Sequence, residues 1–237
     1  MLNPELDTAA LAEEYARDGR VRIRNLFTED FARRIAAYCQ DHVPYEFLTY
    51  VDGKNVVISA AEMEQLSPEQ LQQLQQSVMD SARQGRGFFY CGYKMQRADS
   101  DSEDEAMREL HSVFDYLNGE EMLSFIAAIS GRDDLQSADA QYTRYTAGQF
   151  LTRHRDDIDA EQRRLAYVIS FTEGWHPDWG GLLQFYAEDG SPRDAWAPEF
   201  NSMSLFDVSH IHAVTFVAPF HALSRCSLTG WFRARPR

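Results

Sequence analysis

The feature that most limits the fold of this chain is a series of short apolar or alternating runs after Gln136. Turn residues separate the runs, for example Gly180-Gly181 and Asp189-Gly190. Short strands with turn signals at this spacing are typical of a β-sandwich or a β-barrel. We therefore predict strands over residues 163–172, 182–186, 202–206, 213–218 and 225–233.

The first 135 residues carry helix signals between a few strand-like runs. The clearest signal is Ser67-Pro68-Glu69-Gln70, a capping box in which the side chains of Ser67 and Gln70 bond to each other's backbone N–H groups. We expect helices from Asn3-Pro4 to Gly19, from Thr28 onward, from Ser67 to about Ala82, from the acidic run 99–105 to about Gly119 and over 120–129, with a strand at 20–24, a hairpin over 47–59 and a strand from Phe88.

No linker or internal repeat divides the chain, so we predict a single domain over residues 1–237. Residues 1–135 would form a mixed helical support and residues 136–237 the β core. Because helices and sheets bury their apolar faces against one another, the N-terminal helices should pack on one sheet. The predicted fold class is mainly β with flanking helices (α+β).

The charge and cysteine content limit the partners and the compartment. The formal net charge is −14, which disfavours nucleic acid, since phosphate neutralisation needs a basic surface. The same charge favours a basic partner through long-range steering. Three cysteines without C-x-x-C spacing fit free thiols in a reducing cytoplasm. The first residues lack the basic stretch and the apolar run of a signal peptide, so we expect none. No apolar stretch is long enough to span a bilayer.

A metal site is suggested by His154 and Asp156, two positions apart in a strand-like run. Residues i and i+2 of a strand point to the same face, so an imidazole and a carboxylate can converge on one ion. His212 supplies a third ligand from later in the chain. Two histidines and one carboxylate with open positions suit non-heme Fe(II) oxygenases.

Other ligand sets compete with this triad. His176 and Asp178 repeat the spacing, but they lie in a Pro/Gly loop, which holds ligands less firmly than a strand. His210 shares a face with His212. A structural zinc site is a further alternative, against which the absence of cysteine ligands counts.

Arg225 begins an alternating run in which Ser227 and Thr229 share its face. If that face points into a barrel, the arginine needs an anion there, and a guanidinium binds a carboxylate with two parallel hydrogen bonds. The alternative is a surface arginine in an ordinary ion pair. We expect a carboxylate-binding site beside the metal.

The combination of these motifs resembles the 2-oxoglutarate- and Fe(II)-dependent dioxygenases, and within them the prolyl-hydroxylase-like branch. The resemblance covers residues 138–232. It rests on Tyr145, Gly148, Leu151, His154 and Asp156, on Trp175, Gly180, Gly181, Leu183 and Tyr186, and on His212 and Arg225.

The resemblance implies a double-stranded β-helix (jelly-roll) core. It implies that His154, Asp156 and His212 bind Fe(II), and that O2 is the oxidant. The co-substrate 2-oxoglutarate would be bound by Arg225, Tyr145, Ser227 and Thr229. Ascorbate is a candidate accessory reductant. Tyr142 competes with Tyr145 for its role.

The reaction implied by the resemblance is hydroxylation of a C–H bond, with a prolyl residue of a protein as the expected substrate. The alternatives are the same chemistry on a free amino acid or small metabolite, and a metal-binding jelly roll without turnover. Nucleobase demethylation is disfavoured, since those relatives continue as R-x-N-x-T-x-R where this chain has Ser227 and Trp231.

One position departs from the family. Many relatives have a tyrosine that donates to the 2-oxoglutarate carboxylate where this chain has Ser170. Serine is too short to reach as far, so a water, Tyr167 or another hydroxyl would have to take its place.

Overall fold

The computed structural model describes residues 1–235. Within that range the elements are α1 (Thr8–Asp18), β1 (Arg20–Arg24), α2 (Glu29–Asp41), β2 (Glu46–Val51), β3 (Lys54–Ile58), α3 (Ala60–Gln65), α4 (Pro68–Arg83), β4 (Phe88–Lys94), α5 (Glu105–Leu117), α6 (Glu120–Ser130), β5 (Ser137–Ala138), β6 (Gln141–Tyr145), β7 (Phe150–His154), β8 (Arg163–Ser170), β9 (Leu183–Tyr186), β10 (Pro192–Trp196), β11 (Ser202–Asp207), β12 (Ile211–Val214) and β13 (Arg225–Arg233).

The strands form one curled antiparallel sheet in the order β1-β11-β8-β13-β6-β4-β7-β12-β9-β10. The short β5 pairs with β13, and the β2–β3 hairpin extends the sheet beside β4. Strands from the first half therefore join the sheet, since β4 pairs with both β6 and β7. The curled sheet with helices on its outer face confirms the predicted fold class.

The two faces of the sheet differ in what they cover. On β6 the side chain of Tyr142 is fully buried, and its hydroxyl donates to the backbone carbonyl of Leu110 on α5 (3.0 Å). Tyr167 and Phe232 lie in the same cluster as buried residues of α2, α5 and α6. The opposite face lines the interior of the half-barrel, so the alternation within each strand separates the helix-packed core from the cavity.

The helix starts agree with the sequence at α2, α4 and α6 and differ at α1 and α5. The capping box at Ser67 and Gln70 is present as predicted. Helix α1 begins at Thr8 and is capped by Asp7, so the expected start at Asn3-Pro4 is wrong. The first residues instead pair with the segment after β1, where the Asn3 N–H donates to the carbonyl of Leu26 (2.9 Å).

The acidic run 99–105 does not open a helix over its whole length. Residues Arg97–Asp101 form a short 3-10 turn, and α5 starts only at Glu105, capped by the Asp104 side chain. Asp99 accepts hydrogen bonds from the Tyr93 hydroxyl (2.8 Å) and the Gln96 N–H (2.7 Å). This local bonding caps the start of a separate 3-10 turn ahead of α5. Among the described residues, no helix is long and apolar enough to cross a membrane.

Asn201 joins β1 to β11, and its replacement tests this junction. Its side chain is 4% exposed, donates to the Phe27 carbonyl (2.8 Å) and accepts from the Phe27 N–H (2.9 Å). Asn201→Ala should lower the free energy of unfolding by about 2–4 kcal/mol, because two buried backbone groups lose their partner. Asn25, which is exposed and has a similar positive φ (51° against 54°), is the matched control for backbone strain. An equal loss in Asn25→Ala, measured by urea unfolding, would show that strain and not hydrogen bonding dominates.

Candidate metal centre and co-substrate pocket

His154, Asp156 and His212 come together at one end of the half-barrel. His154 on β7 and His212 on β12 are direct cross-strand partners. Asp156 lies just beyond β7, with its Oδ1 3.6 Å from His154 Nε2 and its Oδ2 3.4 Å from His212 Nε2. The three ligand atoms all lie within 4.8 Å of one another.

The imidazole rings are held with Nε2 facing the carboxylate. His154 Nδ1 lies 2.9 Å from the Thr152 carbonyl, and His212 Nδ1 lies 3.0 Å from the His210 carbonyl. A carbonyl can only accept, so each Nδ1 carries the proton and each Nε2 keeps its lone pair for a metal. This second hydrogen bond is what usually fixes a metal-ligating histidine.

The geometry fits a small divalent cation. Ligands about 2.1 Å from one ion and at right angles to each other lie about 3 Å apart, so a small closure of the side chains would complete the coordination. Asp156 and His212 are each 5% exposed. Burial and the nearby His154 lower the pKa of His212 to about 4, against the opposite effect of Asp156. The neutral ligand form of His212 is therefore favoured.

The competing ligand sets are not assembled in this way. The side chains of His176 and Asp178 are 60% and 81% exposed, and among the described residues no third ligand joins them. His210 Nε2 lies 2.8 Å from the backbone carbonyl of Asp18, away from the triad. In the described range, the triad is the one group of three or more such side chains close enough to hold an ion.

Arg225 lines the same cavity, which has a volume of about 100 Å³. Its side chain is buried, with 3% exposure for the residue, and its Nε has no hydrogen-bond partner. It makes no ion pair with a carboxylate within residues 1–235, and burial lowers its pKa. A buried cation without an anion is costly, so the site fits an anionic ligand such as a carboxylate.

The other predicted co-substrate residues lie near Arg225 or along its strand. The Tyr145 ring lies 5.1 Å from the Arg225 guanidinium carbon, and Tyr145 lines the cavity. Ser227 is fully buried, and its hydroxyl has no partner. Thr229 lines the cavity, but its hydroxyl donates to the Gln141 carbonyl (3.3 Å). Tyr142, the competitor of Tyr145, faces the helix-packed core.

Ser170 faces Ser227 across β8 and β13, and Ser227 faces Thr143 on β6. These short side chains are thus neighbours on three adjacent strands. Tyr167 does not join them, because its hydroxyl donates to the Asp139 carbonyl (2.6 Å) on the other side of the sheet. The expected substitute Tyr167 is therefore wrong, and only the short hydroxyl side chains of Ser170, Ser227 and Thr143 lie next to one another here.

Several residues in or beside the cavity were not predicted as site residues. Tyr90 stacks on Tyr145 with ring centroids 5.1 Å apart. Gln141 and Trp231 are on neighbouring strands of the cavity wall. Arg163 lies with its guanidinium carbon 3.5 Å from the Trp231 ring centroid and its Nη1 3.9 Å from Asp156 Oδ1. Only the alternation that places Trp231 on the face of Arg225 could have indicated one of them from the sequence.

A curled jelly-roll sheet with two histidines and one carboxylate beside an unpaired arginine defines the open centre of non-heme iron oxygenases. Comparison with known proteins points to the same class. Residues 140–233 match the model of the 2OG-Fe(II) oxygenase superfamily. The family's cofactors, Fe(II) and 2-oxoglutarate, suit the donor set and the buried arginine.

The curated relative shares limited sequence identity with this chain and is much longer. The chain is 29% identical to the mouse (Mus musculus) prolyl 3-hydroxylase OGFOD1 over 148 residues, which is 59% of this chain but 26% of that protein. The chain thus spans about a quarter of the length of this curated relative.

Solved structures share the whole fold. A Pseudomonas putida prolyl-4-hydroxylase matches with a TM-score of 0.60 at 22% identity, over 97% of this chain and 100% of that one. A Trichoplax adhaerens prolyl hydroxylase, solved with a hypoxia-inducible-factor peptide, matches with a TM-score of 0.60 at 14% identity, over 96% and 89%. The chain therefore has a prolyl-hydroxylase-like fold.

Proposed function

We propose that this protein is an Fe(II)- and 2-oxoglutarate-dependent dioxygenase that hydroxylates a prolyl residue of a protein or peptide. The observation that carries the proposal is the joint presence, in one cavity, of the His154–Asp156–His212 triad and the buried, unpaired Arg225. A metal-binding module without turnover would have no use for a buried cation beside its metal.

The residues have separate tasks. His154, Asp156 and His212 would hold Fe(II), and Arg225 would bind the C5 carboxylate of 2-oxoglutarate. Tyr145, Ser227 and Thr229 would complete that pocket. When bound, iron and 2-oxoglutarate supply, with O2, the oxidation that places hydroxyl on a C–H bond and releases succinate and CO2.

The neighbouring side chains prepare and shield the site. The Thr152 and His210 carbonyls keep the imidazoles in the ligand tautomer. Phe206 packs edge-on against His212 with ring centroids 4.8 Å apart, and so limits water on that side. A dry site strengthens the electrostatic contacts inside it.

The choice of a prolyl substrate in a polypeptide rests on the relatives. The mouse relative is named a prolyl 3-hydroxylase, and the Trichoplax structure contains a peptide. The net charge of −14 supports a basic polypeptide and disfavours nucleic acid. The cysteines Cys39, Cys91 and Cys226 are free and buried, which suits the cytoplasm or another reducing compartment.

The test is to incubate the protein with Fe(II), 2-oxoglutarate and proline-containing peptides from basic ribosomal proteins. We expect one proline to gain the mass of one oxygen atom, in proportion to the succinate formed, by tandem mass spectrometry. The metal-ligand variant Asp156→Ala is the inactive control. Hydroxylation of free amino acids or metabolites without that of any polypeptide would contradict the prolyl-protein assignment and leave the oxygenase chemistry in place.

A further inference from the structure

A groove lies between α4 and the neighbouring part of the sheet. It consists of two pockets of about 400 and 490 Å³ that meet at Met79. Helix α4 forms one wall, and the sheet with its loops forms the other through Phe89, Gly148, Phe150 and Phe216. The rings of Phe150 and Phe216 stack with centroids 5.9 Å apart, and Phe216 is 48% exposed. A large aromatic side chain that stays half exposed beside an apolar groove indicates a surface that another molecule covers.

Three uncharged segments of the chain meet at this groove. Residues 70–79, 145–152 and 208–224 contain no Asp, Glu, Lys or Arg, although these four residue types make up 25% of the chain. In the described part of the chain, no carboxylate lines either pocket, and the charged lining residues are Arg83 and Arg153. Depletion of charge is a feature of the core of protein interfaces, relative to the rest of a protein surface.

The groove is large enough for a stable protein interface. Twelve residues line each pocket, and Met79 belongs to both. Helix α4 has 16 residues and is therefore about 24 Å long. A stable interface takes about 20–30 residues from each partner, so the groove by itself reaches this range.

The charge of the chain favours a second copy of itself as the occupant. A net charge of −14 makes two copies repel each other across most of their surfaces, and a face without carboxylates is where they can approach. Gln72, Gln75 and Gln76 line the groove. A glutamine amide both donates and accepts hydrogen bonds, so this row of amides can bond to its own image.

A strongly charged partner suits the groove less well. A basic partner would find no carboxylate among the described residues that line the groove. An acidic partner would find Arg153, but Arg83 is already paired with Asp80. The lining therefore favours a partner surface that is itself neutral and apolar.

The shape of this face fits a two-fold axis. A two-fold dimer uses the same patch on both copies, so the patch must carry both a protrusion and a matching hollow. Phe216 is the protrusion. Its ring lies 3.8 Å from the position that a Cβ on Gly148 would take, and Gly148 lines the neighbouring pocket. Each Phe216 can therefore enter the pocket between α4 and Phe89 of the other copy.

We propose that the protein forms a two-fold dimer through the groove beside α4, with Phe216 of each copy against the glutamine-lined wall of the other. The dimer goes beyond the proposed function and does not depend on it. Phe150 and Ala213 line the groove, whereas His154 and His212 line the active-site cavity. The interface thus lies behind strands β7 and β12 and leaves both cavities accessible.

Sedimentation velocity of the full chain over a range of concentrations tests the dimer, and the unchanged protein should approach twice the mass of one chain. Gln72→Glu combined with Gln75→Glu places two new carboxylates per copy in the interface. Like charges that face each other across an interface are strongly unfavourable, so the Kd of the dimer should rise more than about a hundredfold. Gln65→Glu combined with Gln73→Glu adds the same charge at exposed residues that do not line the groove. This control should dimerise as the unchanged protein does.

An apolar substitution tests the protrusion independently. Phe216→Ser should raise the Kd of the dimer more than about tenfold, because a buried aromatic anchor is lost from the interface. Leu223→Ser is the control, since Leu223 is similarly exposed (43%) on the same loop but lines a different pocket. Thermal unfolding of each variant separates loss of the dimer from loss of the fold.

The salt dependence gives a further readout. Added salt should strengthen the dimer, because it screens the repulsion between two copies that each carry a charge of −14. A dimer that weakens with salt would be held by ion pairs and would contradict the proposal. So would a dimer that the double glutamate variant and Phe216→Ser leave intact. If the unchanged protein is a monomer at every concentration, the second copy is the wrong occupant, even where a different protein binds the groove.

Discussion

Replacing Asp156 with alanine is expected to weaken Fe(II) binding by more than about a hundredfold and to abolish turnover. Loss of a group that merely hydrogen-bonds to a metal ligand costs about 10–100-fold in metal affinity, and Asp156 would be a ligand itself. It is the only anionic member of the triad, and its two oxygens face both His154 and His212 at 3.4–3.6 Å. Equilibrium dialysis against Mn(II) or anaerobic Fe(II) measures the effect.

Two matched controls test whether the effect is specific. His176→Ala removes the exposed member of the competing H-x-D pair, and His210→Ala removes the histidine next to His212. Both variants should bind metal as the unchanged protein does, although His210→Ala loses a contact to the Asp18 carbonyl and with it some stability. Loss of metal in either control, with binding kept in Asp156→Ala, would move the centre away from the triad.

Replacing Arg225 with methionine is expected to have opposite effects on the free protein and on co-substrate binding. Without a ligand, Arg225 is a buried cation with no carboxylate partner. An apolar side chain of similar size in place of buried charges is often neutral or stabilises by about 1–4 kcal/mol. The free energy of unfolding without 2-oxoglutarate should therefore stay the same or rise.

Co-substrate binding should fall steeply in the same variant. Leaving a buried carboxylate without its partner costs about 2–5 kcal/mol, so the Kd for 2-oxoglutarate should rise by more than tenfold while Mn(II) affinity is retained. The unchanged protein should gain about 2.7 kcal/mol of stability at a ligand concentration of 100 Kd, and Arg225→Met should lose at least about half of that gain at the same concentration.

Arg153→Met is the control for the arginine prediction. Arg153 is one residue from His154 on β7, is exposed, and lies over the Tyr186 ring at 5.3 Å. Its replacement should change neither 2-oxoglutarate binding nor metal binding. If Arg225→Met binds 2-oxoglutarate normally, another group receives the carboxylate.

The parts of the site that follow from local spacing could be read from the sequence. His154 and Asp156 are two residues apart at a strand end, and the strand period alone puts them on one side. The same period puts Ser227 and Thr229 with Arg225. A β-sandwich or β-barrel was also predictable from the short strands and regular turn signals, and the resemblance to the oxygenase family narrowed that prediction to a jelly roll.

The parts that depend on strand pairing could not be read in this way. The choice between Tyr142 and Tyr145 depends on which face of β6 meets the helices, and three residues apart they lie on opposite faces. The insertion of β4 between β6 and β7 brings Tyr90 to the cavity from far back in the chain. No local sequence pattern indicates that a residue so far back in the chain lies next to Tyr145.

The sequence by itself determined the fold class, the H-x-D pair with its distant histidine, and the strand that begins at Arg225. Each of these predictions depends on short-range periodicity and on residue chemistry. The tertiary structure alone decided that His212 pairs directly with His154 across β7 and β12, which residues face Arg225 across the strands, and that Gln141 and Trp231 present unpaired donors in the same cavity. The physical reason is that a strand's own residues fix its two faces, whereas its partners and register are set by packing across the whole sheet.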